Sequence, residues 1–338
     1  MSSWNELLAQ QAQPLTTTQL AVGFVAPIGD QGLIALDGEE SAGFLHNQLT
    51  NDVEHLGTGE VRLAGYCSPK GRLLASFLMW RNETTIFLQL PREIQAPVQK
   101  RLSMFVLRAK TKLSDAGELP GSQVVLGLGG GMAEDLLQNW FDPLPAKPFT
   151  KLDHPLGTLL RVADAFGAAR YQWLMSAEVA QTVVSELAAK LSVGRTDAWH
   201  LSEIHAGIPQ ITKATQEQFV PQMVNFELLG GVNFKKGCYP GQEIVARSQY
   251  LGKLKRRTTL VSISDAAAAA GVEVFATADP EQPCGMVVNA APNGKGGIDA
   301  LVEMKLAAIE AASVRLGSAD GAPLTFLDMP YVLDPLDL

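Results

Sequence analysis

Cysteine, charge and aromatic side chains are all scarce in this chain. Its 338 residues include three cysteines, Cys67, Cys238 and Cys284, an odd number at wide spacings. That is no disulfide framework, and it fits a reducing compartment, so a cytoplasmic protein is expected. No CxxC occurs, and of the five histidines (His46, His55, His154, His200, His205) the last two stand five apart rather than four. Zinc and iron–sulfur sites usually draw about four Cys or His ligands at close spacing, so no metal site is expected within one chain. The opening "MSSWNELLAQQAQ" has no basic segment and no long apolar run; neither a signal peptide nor a membrane span is expected. There is no internal repeat. Charged residues make up only 18% and the net charge is −8, which argues against a general nucleic-acid coat and leaves room only for a local basic patch.

What is present is globular. Hydrophobic residues reach 46%, and the length suggests two or three domains. Residues 31–115 predict the order β-α-β-β-β-α-β. "GLIALDG", "VRLAGYC", "RLLASFLMW" and "TTIFLQL" read as strands, "SAGFLHNQLTNDV" as a helix capped by Ser41, and a second helix follows Pro91. This is an α+β module over an antiparallel sheet. A second module begins near Ser122 with "VVLGLGGGMAEDLL", then strands near 157–163 and 170–175, a helix over 177–191, and another from Asp197 to Gly207 with an Asp cap. Beyond about residue 258, short β-type runs separated by Gly, Pro and Asn suggest a small barrel or sandwich.

Several stretches could carry chemistry. The glycine run 127–131 follows a strand, but Met132 stands where a dinucleotide fingerprint needs glycine, and no Gly-Lys-Ser/Thr follows; it reads as a structural strand-to-helix turn. "GYCSPKGR" reads as a hairpin tip, with Cys67 or Lys70 facing a cleft as the alternative. Trp199, on a helix with His200 and Glu203, is either a core residue or a platform for a flat ring; Trp173, within "YQWLM", reads as core.

The segment 235–257 differs in kind. It holds seven basic residues, Lys235, Lys236, Arg247, Lys253, Lys255, Arg256 and Arg257, against one acid, Glu243. Such a segment is either a solvated face or a binder of anionic tails and phosphates. Within it lies "FKKGCYPGQEIVAR". Nearby lysines and a following helix N-terminus would favour the Cys238 thiolate; the alternative is an inert buried cysteine. No histidine lies within the motif, so a Cys–His pair would need a partner distant in sequence.

At "KKGCYPGQEIVAR" the chain resembles the YgfZ family of folate-binding proteins. The shared pattern Lys-Gly-Cys-Tyr-x-Gly-Gln-Glu-x-x-x-Arg is matched by Lys236, Gly237, Cys238, Tyr239, Gly241, Gln242, Glu243 and Arg247. The likeness extends through "LDGEESAGFLHNQLTNDV", "GYCSPKGRLLASFLMWR", "WHLSEIHAGIPQI" and "QFVPQMVNFELLGGVNFKKGC". It implies a fold like the T-protein of the glycine cleavage system: an α+β, three-domain ring with antiparallel sheets and a C-terminal small β-barrel around a central folate cavity. The expected parts are a folate-binding module over residues 1–118, a second α+β module over 119–257 and a barrel-like domain over 258–338.

The resemblance further implies a tetrahydrofolate-binding accessory protein for assembly or repair of iron–sulfur enzymes, including those that thiomethylate tRNA. Its partners would be folate, iron–sulfur proteins or their assembly factors, with a weak tRNA contact and no membrane. Cys238 would be a reactive thiol at the cavity edge. Trp199, Lys236, Tyr239, Gln242, Glu243 and Arg247 would contact the cofactor, and Gln31 occupies a place where some relatives carry a second aromatic. The T-protein's acidic pair after the "SPKG" turn is replaced by Leu74 and Ala75, and "RVADAFGAARYQW" lacks that family's glutamate. A standard aminomethyltransferase is therefore not expected, because that transfer needs a carboxylate at the folate nitrogen. A folate-dependent one-carbon transferase that has lost these acids is the alternative.

Overall fold

A computed structural model describes residues 3–118, 124–251 and 254–333. Ser122, where the second module was expected to begin, and Lys253 lie outside these residues, and the expected boundary at 118/119 abuts them.

The β-α-β-β-β-α-β order is observed in full. Strands Gln31–Asp37, Val61–Cys67, Leu73–Arg81, Thr85–Pro91 and Lys112–Asp115, with helices Ser41–His46 and Arg92–Met104, form the first unit. Its five strands run, across the sheet, from Val61–Cys67 at one edge to Lys112–Asp115 at the other, and every described pairing is antiparallel. One face packs on its own helices through Ile34, Leu45, Phe77 and Leu88. The opposite face turns toward the rest of the molecule.

The second sheet has six strands. Phe24–Pro27 pairs antiparallel with Val124–Gly129, which pairs in turn with Ala168–Met175. The strand Phe24–Pro27, within the span expected for the first module, thus pairs into the second sheet. A strand that was not foreseen, Thr150–His154, forms the edge. The helix Thr196–His205 begins one residue before Asp197; its N-cap is Arg195, which makes no side-chain capping bond, so the expected Asp cap is not formed. Asp197 lies instead in the first turn, where its charge suits the helix dipole.

The third sheet also has six strands, with Val314–Leu316 and Leu324–Leu327 at its ends. An antiparallel bridge from Arg315 to Pro323 brings those two ends together, which removes exposed edges as a small barrel does. The predicted C-terminal change of character is therefore a real change of architecture.

The glycine run is structural, as its sequence suggested. A Cβ on Gly127 would stand 2.7 Å from Trp199 Cδ2, so the bare backbone lets the indole lie against the strand. Gly130 has φ +88° and abuts the backbone of Val22 and Gly23.

Candidate functional site

Where the three sheets converge, a two-part cavity opens. The inner chamber is a narrow slot of about 30 Å³ between the first and second sheets. It is lined by Leu63, Leu78, Phe149 and Val162, with Ser76, Gln89, Arg170, Gln172 and Glu203 as its polar groups. The outer cleft, about 710 Å³, lies between the first unit, the helix Thr196–His205 and the barrel; Asp30, Arg92, His200 and Asn289 line it. Gln31, Pro91, Glu203, Ile208 and Gln210 border both parts and form the neck between them.

The polar groups of the slot are held firmly. Gln89 Nε2 donates to Gln172 Oε1 at 2.9 Å, tying the first sheet to the second. Arg170, 1% exposed, donates to Glu203 at 2.8 Å, to Ser202 Oγ at 2.9 Å and to the Ala163 carbonyl at 2.9 Å. Its guanidinium also lies 4.9 Å from the Trp199 ring centroid, a cation–π stack. Arg170 Nη2 is buried with no acceptor among the described residues. At the neck, Gln31 Nε2 donates to Gln210 Oε1 at 3.1 Å. In the outer cleft, burial disfavours the charged form of His200, but the hydrogen bond and charge of Asp30, 2.6 Å away, outweigh it and hold the imidazole above its ordinary range.

Sequence reasoning placed Trp199 against the cofactor; the structure places it in the core. It is 0% exposed and lines neither chamber. Gly127 admits it beneath the strand, and Arg170 covers its face, so the indole supports the slot's arginine instead of offering an open platform. The residues that do line the slot carried a legible sign. Gln89, Arg170 and Gln172 are polar residues inside apolar β-runs, and buried polar groups of that kind require partners.

The KGCY motif lies elsewhere. None of Lys236, Cys238, Tyr239, Gln242, Glu243 or Arg247 lines either chamber of this cavity. The motif packs beside the edge strand Val61–Cys67. Gly241, φ +78°, meets the "SPKG" turn so closely that a Cβ would stand 2.6 Å from Gly71 Cα, itself at φ +70°. Two motifs some 170 residues apart in sequence thus share one backbone contact. The helix Gln242–Tyr250 starts from this turn.

Lys236 Nζ donates to the carbonyls of His46 (2.6 Å), Leu49 (3.0 Å) and Gly237 (3.3 Å), and sits 4.7 Å from the Tyr239 ring centroid. Burial pushes its pKa down to about 8. Cys238 is exposed, whereas Cys67 is buried and burial pushes its thiol up to about 12; Cys67 does not face a ligand cleft. Lys70 is exposed and lines neither chamber. The basic segment is also thinner than its sequence implies. Arg257 is buried against Glu227, Arg256 pairs with Glu303, and Lys236 is engaged as described. Lys235, Arg247 and Lys255 are the exposed cations of the segment among the described residues.

No protein-family model matches the chain. Curated relatives do. It is 31% identical over 246 residues to the tRNA-modifying protein YgfZ of Pectobacterium atrosepticum, covering 72% of this chain and 71% of the relative. It is 30% identical over 244 residues, with the same coverage, to the YgfZ of Pectobacterium carotovorum. The chain belongs to the YgfZ family. Against the YgfZ of Escherichia coli K12 the identity is 28% over 250 residues, 74% of each chain. Among solved structures, the glycine cleavage system aminomethyltransferase T from Bartonella henselae superposes with a TM-score of 0.72 at 15% identity, covering 97% of this chain and 89% of that one. The YgfZ chain therefore has the aminomethyltransferase T fold, and the expected α+β architecture is the one observed.

In that fold, the strand Leu73–Arg81 faces the slot with Ser76 and Leu78. Leu74 and Ala75 are buried in the first unit's own core. The slot's carboxylate is Glu203, and it is bound to Arg170. Among the described residues no group of three or more His, Cys, Asp or Glu is placed to hold a metal, and no helix is long and apolar enough to cross a membrane.

Proposed function

We propose that this YgfZ-family protein binds tetrahydrofolate in the two-part cavity and serves tRNA modification by supporting the iron–sulfur enzymes that carry it out. The observation that carries the folate reading is the slot: narrow, lined in part by Leu63, Leu78 and Phe149, and furnished with Gln89, Gln172, Glu203 and an Arg170 Nη2 that lacks an acceptor among the described residues. A pterin presents donors and acceptors along one edge, and an unpaired buried donor costs about 1–3 kcal/mol until an acceptor arrives. The residues present fit such a ring, with Arg170 and the glutamines holding its polar edge and Leu63, Leu78 and Phe149 against its faces. The outer cleft would take the aminobenzoyl-glutamate portion, with His200 and Arg92 on its wall to meet the carboxylates. Bound tetrahydrofolate would supply one-carbon or reducing chemistry. The chain's part is to orient the ring and exclude water.

The role in tRNA modification rests on the names of the curated relatives. Support for iron–sulfur enzymes rests on the family resemblance of the cysteine motif. The alternative, a one-carbon transferase, draws on the likeness to aminomethyltransferase T, but Ser76 and Leu78 stand where the strand would need to present a carboxylate to the slot. The test is a tetrahydrofolate titration followed by intrinsic tryptophan fluorescence, with wild type beside Gln89→Leu/Gln172→Leu. The double change removes both partners of one buried hydrogen bond, so stability changes little, while the slot loses its polar edge. Saturable binding at micromolar ligand, weakened at least tenfold in the double variant, is expected. Absence of binding at millimolar ligand would overturn the folate reading.

A further inference from the structure

The slot is smaller than a pterin. A chamber of about 30 Å³ takes little besides water, so a bicyclic ring enters only if a wall gives way. Most of the walls are fixed. Gln89 and Gln172 are bonded to each other, and Arg170 is held by three hydrogen bonds. Leu63 and Val162 are buried on paired strands.

Phe149 differs from these. It is half-buried and stands outside the strands, in the turn before Thr150–His154. Its φ is +60°, a conformation that a bulky side chain rarely adopts, and two backbone hydrogen bonds hold it there. The Phe149 amide donates to the Arg161 carbonyl at 2.8 Å, and its carbonyl accepts from the Val61 amide at 2.9 Å. The seam continues with the Lys151 amide on the Gly59 carbonyl at 2.9 Å and a bridge between Glu60 and Thr150. Backbone thus stitches the first sheet to the second at this edge, and strain of this kind persists only where the surroundings impose it. The backbone is pinned, but a change of side-chain rotamer moves the ring without breaking a hydrogen bond.

Behind the ring lies room to receive it. A surface depression of about 380 Å³ is also lined by Phe149 and Leu63, together with Asn51, Asp52, Leu229 and Asn233. None of the neck residues borders it, so it flanks the slot on a side away from the outer cleft. Its rim is braced. Asn51 Nδ2 donates to the carbonyls of Leu63 (2.7 Å) and Gly230 (2.8 Å), and Arg62 Nη1 donates to the Asp52 carbonyl at 2.8 Å. Asn233 Oδ1 accepts from the Lys235 amide at 2.8 Å, so the depression reaches the root of the KGCY segment.

We infer that Phe149 is the movable wall of the slot. When a flat ring enters through the neck, the Phe149 side chain swings back into the depression, widens the slot, and closes it from behind against water. The step is a side-chain rotation, with no covalent bond made or broken. How far the phenyl ring retreats sets how large a ring the slot accepts.

The inference rests on the folate reading, and its test separates the two. Leu229 lines the depression but not the slot, so Leu229→Trp fills the space that Phe149 needs and leaves the ligand's own contacts untouched. If the open state becomes about ten times rarer, the apparent affinity for tetrahydrofolate falls about tenfold. That loss, measured by calorimetry, and slower association in stopped-flow fluorescence are expected. Leu229→Ala should bind at least as tightly as wild type, and Phe149→Ala should take up and release the ligand faster. As a direct readout, para-fluorophenylalanine is placed at position 149 of the full chain and followed by fluorine NMR. Its solvent isotope shift between light and heavy water should rise on saturation with tetrahydrofolate, because the ring has moved from the slot to the surface. An unchanged isotope shift at saturation, or a folded Leu229→Trp protein with wild-type affinity and association rate, would overturn the movable wall and leave the folate reading standing. Should Leu229→Trp fail to fold, the fluorine measurement decides by itself. Absence of saturable binding at millimolar ligand in every protein would overturn the folate reading and the movable wall with it.

Discussion

Replacing Glu203 by glutamine tests whether the slot is built on the Arg170 ion pair. The change keeps the side chain's shape and one acceptor, but leaves the Arg170 charge without its counter-charge in a site where the two side chains are 1% and 10% exposed. Removing one partner of a buried pair outright costs about 3–5 kcal/mol. Here Arg170 keeps Ser202 Oγ, the Ala163 carbonyl and the Trp199 face, and the amide oxygen still accepts a bond. The cost should therefore fall to about 2–3 kcal/mol, the range of a charge-assisted hydrogen bond. With an unfolding slope of about 2.5 kcal/mol per molar urea, the midpoint drops by about 1 M. Glu203→Ala should drop it further, and Arg170→Met/Glu203→Leu should recover most of the loss, because an apolar pair of similar volume needs no desolvation. Urea titrations followed by far-UV circular dichroism measure all four proteins. Single-variant midpoints within about 0.2 M of wild type would refute the reasoning and mean that the pair does not hold this wall together.

Two further outcomes follow from the geometry. Gly127→Ala drives a methyl into the buried Trp199 and should cost about 1–3 kcal/mol by overpacking. Gly131→Ala, in the same glycine run but with nothing within 4 Å of its Cβ, should be neutral or gain up to about 1 kcal/mol; equal thermal midpoints for the two would contradict the packing. For Lys236, burial lowers the folded-state pKa to about 8, while the unfolded value stays near about 10.4. Between those values the unfolded chain binds more protons, so this group makes stability rise with pH from about 8 to about 10, and its full burial cost stands below 8. The urea midpoint of wild type minus that of Lys236→Met should climb over that window, and a flat difference would exclude the effect.

The expected order of elements in the first unit matches the structure because each of its strands and helices is specified locally. Alternating apolar residues, the Pro91 entry to a helix and the "SPKG" turn need no distant partner to be read. The KGCY motif was legible for the same reason: its lysines, glycines and cysteine are contiguous. The strand Thr150–His154 was not, since it is short and half-exposed and exists by pairing with Gly157–Ala165.

Composition, spacing and motif by themselves determined that this is an α+β chain with a changed C-terminal architecture, a thiol motif and a YgfZ-like pattern. Tertiary structure decided what those residues face. Trp199 reads equally well as platform or core, and a glycine 72 positions upstream settles it by leaving room for the indole under a strand. Arg256 and Arg257 read as a surface patch until Glu303 and Glu227 meet them from other elements. The helix Ser41–His46 has no sequence link to the KGCY motif, yet Lys236 reaches the His46 carbonyl at its end, and Gly71 meets Gly241 backbone to backbone. Local sequence fixes which conformations a segment favours, whereas burial and charge pairing depend on segments that chain order alone does not place side by side.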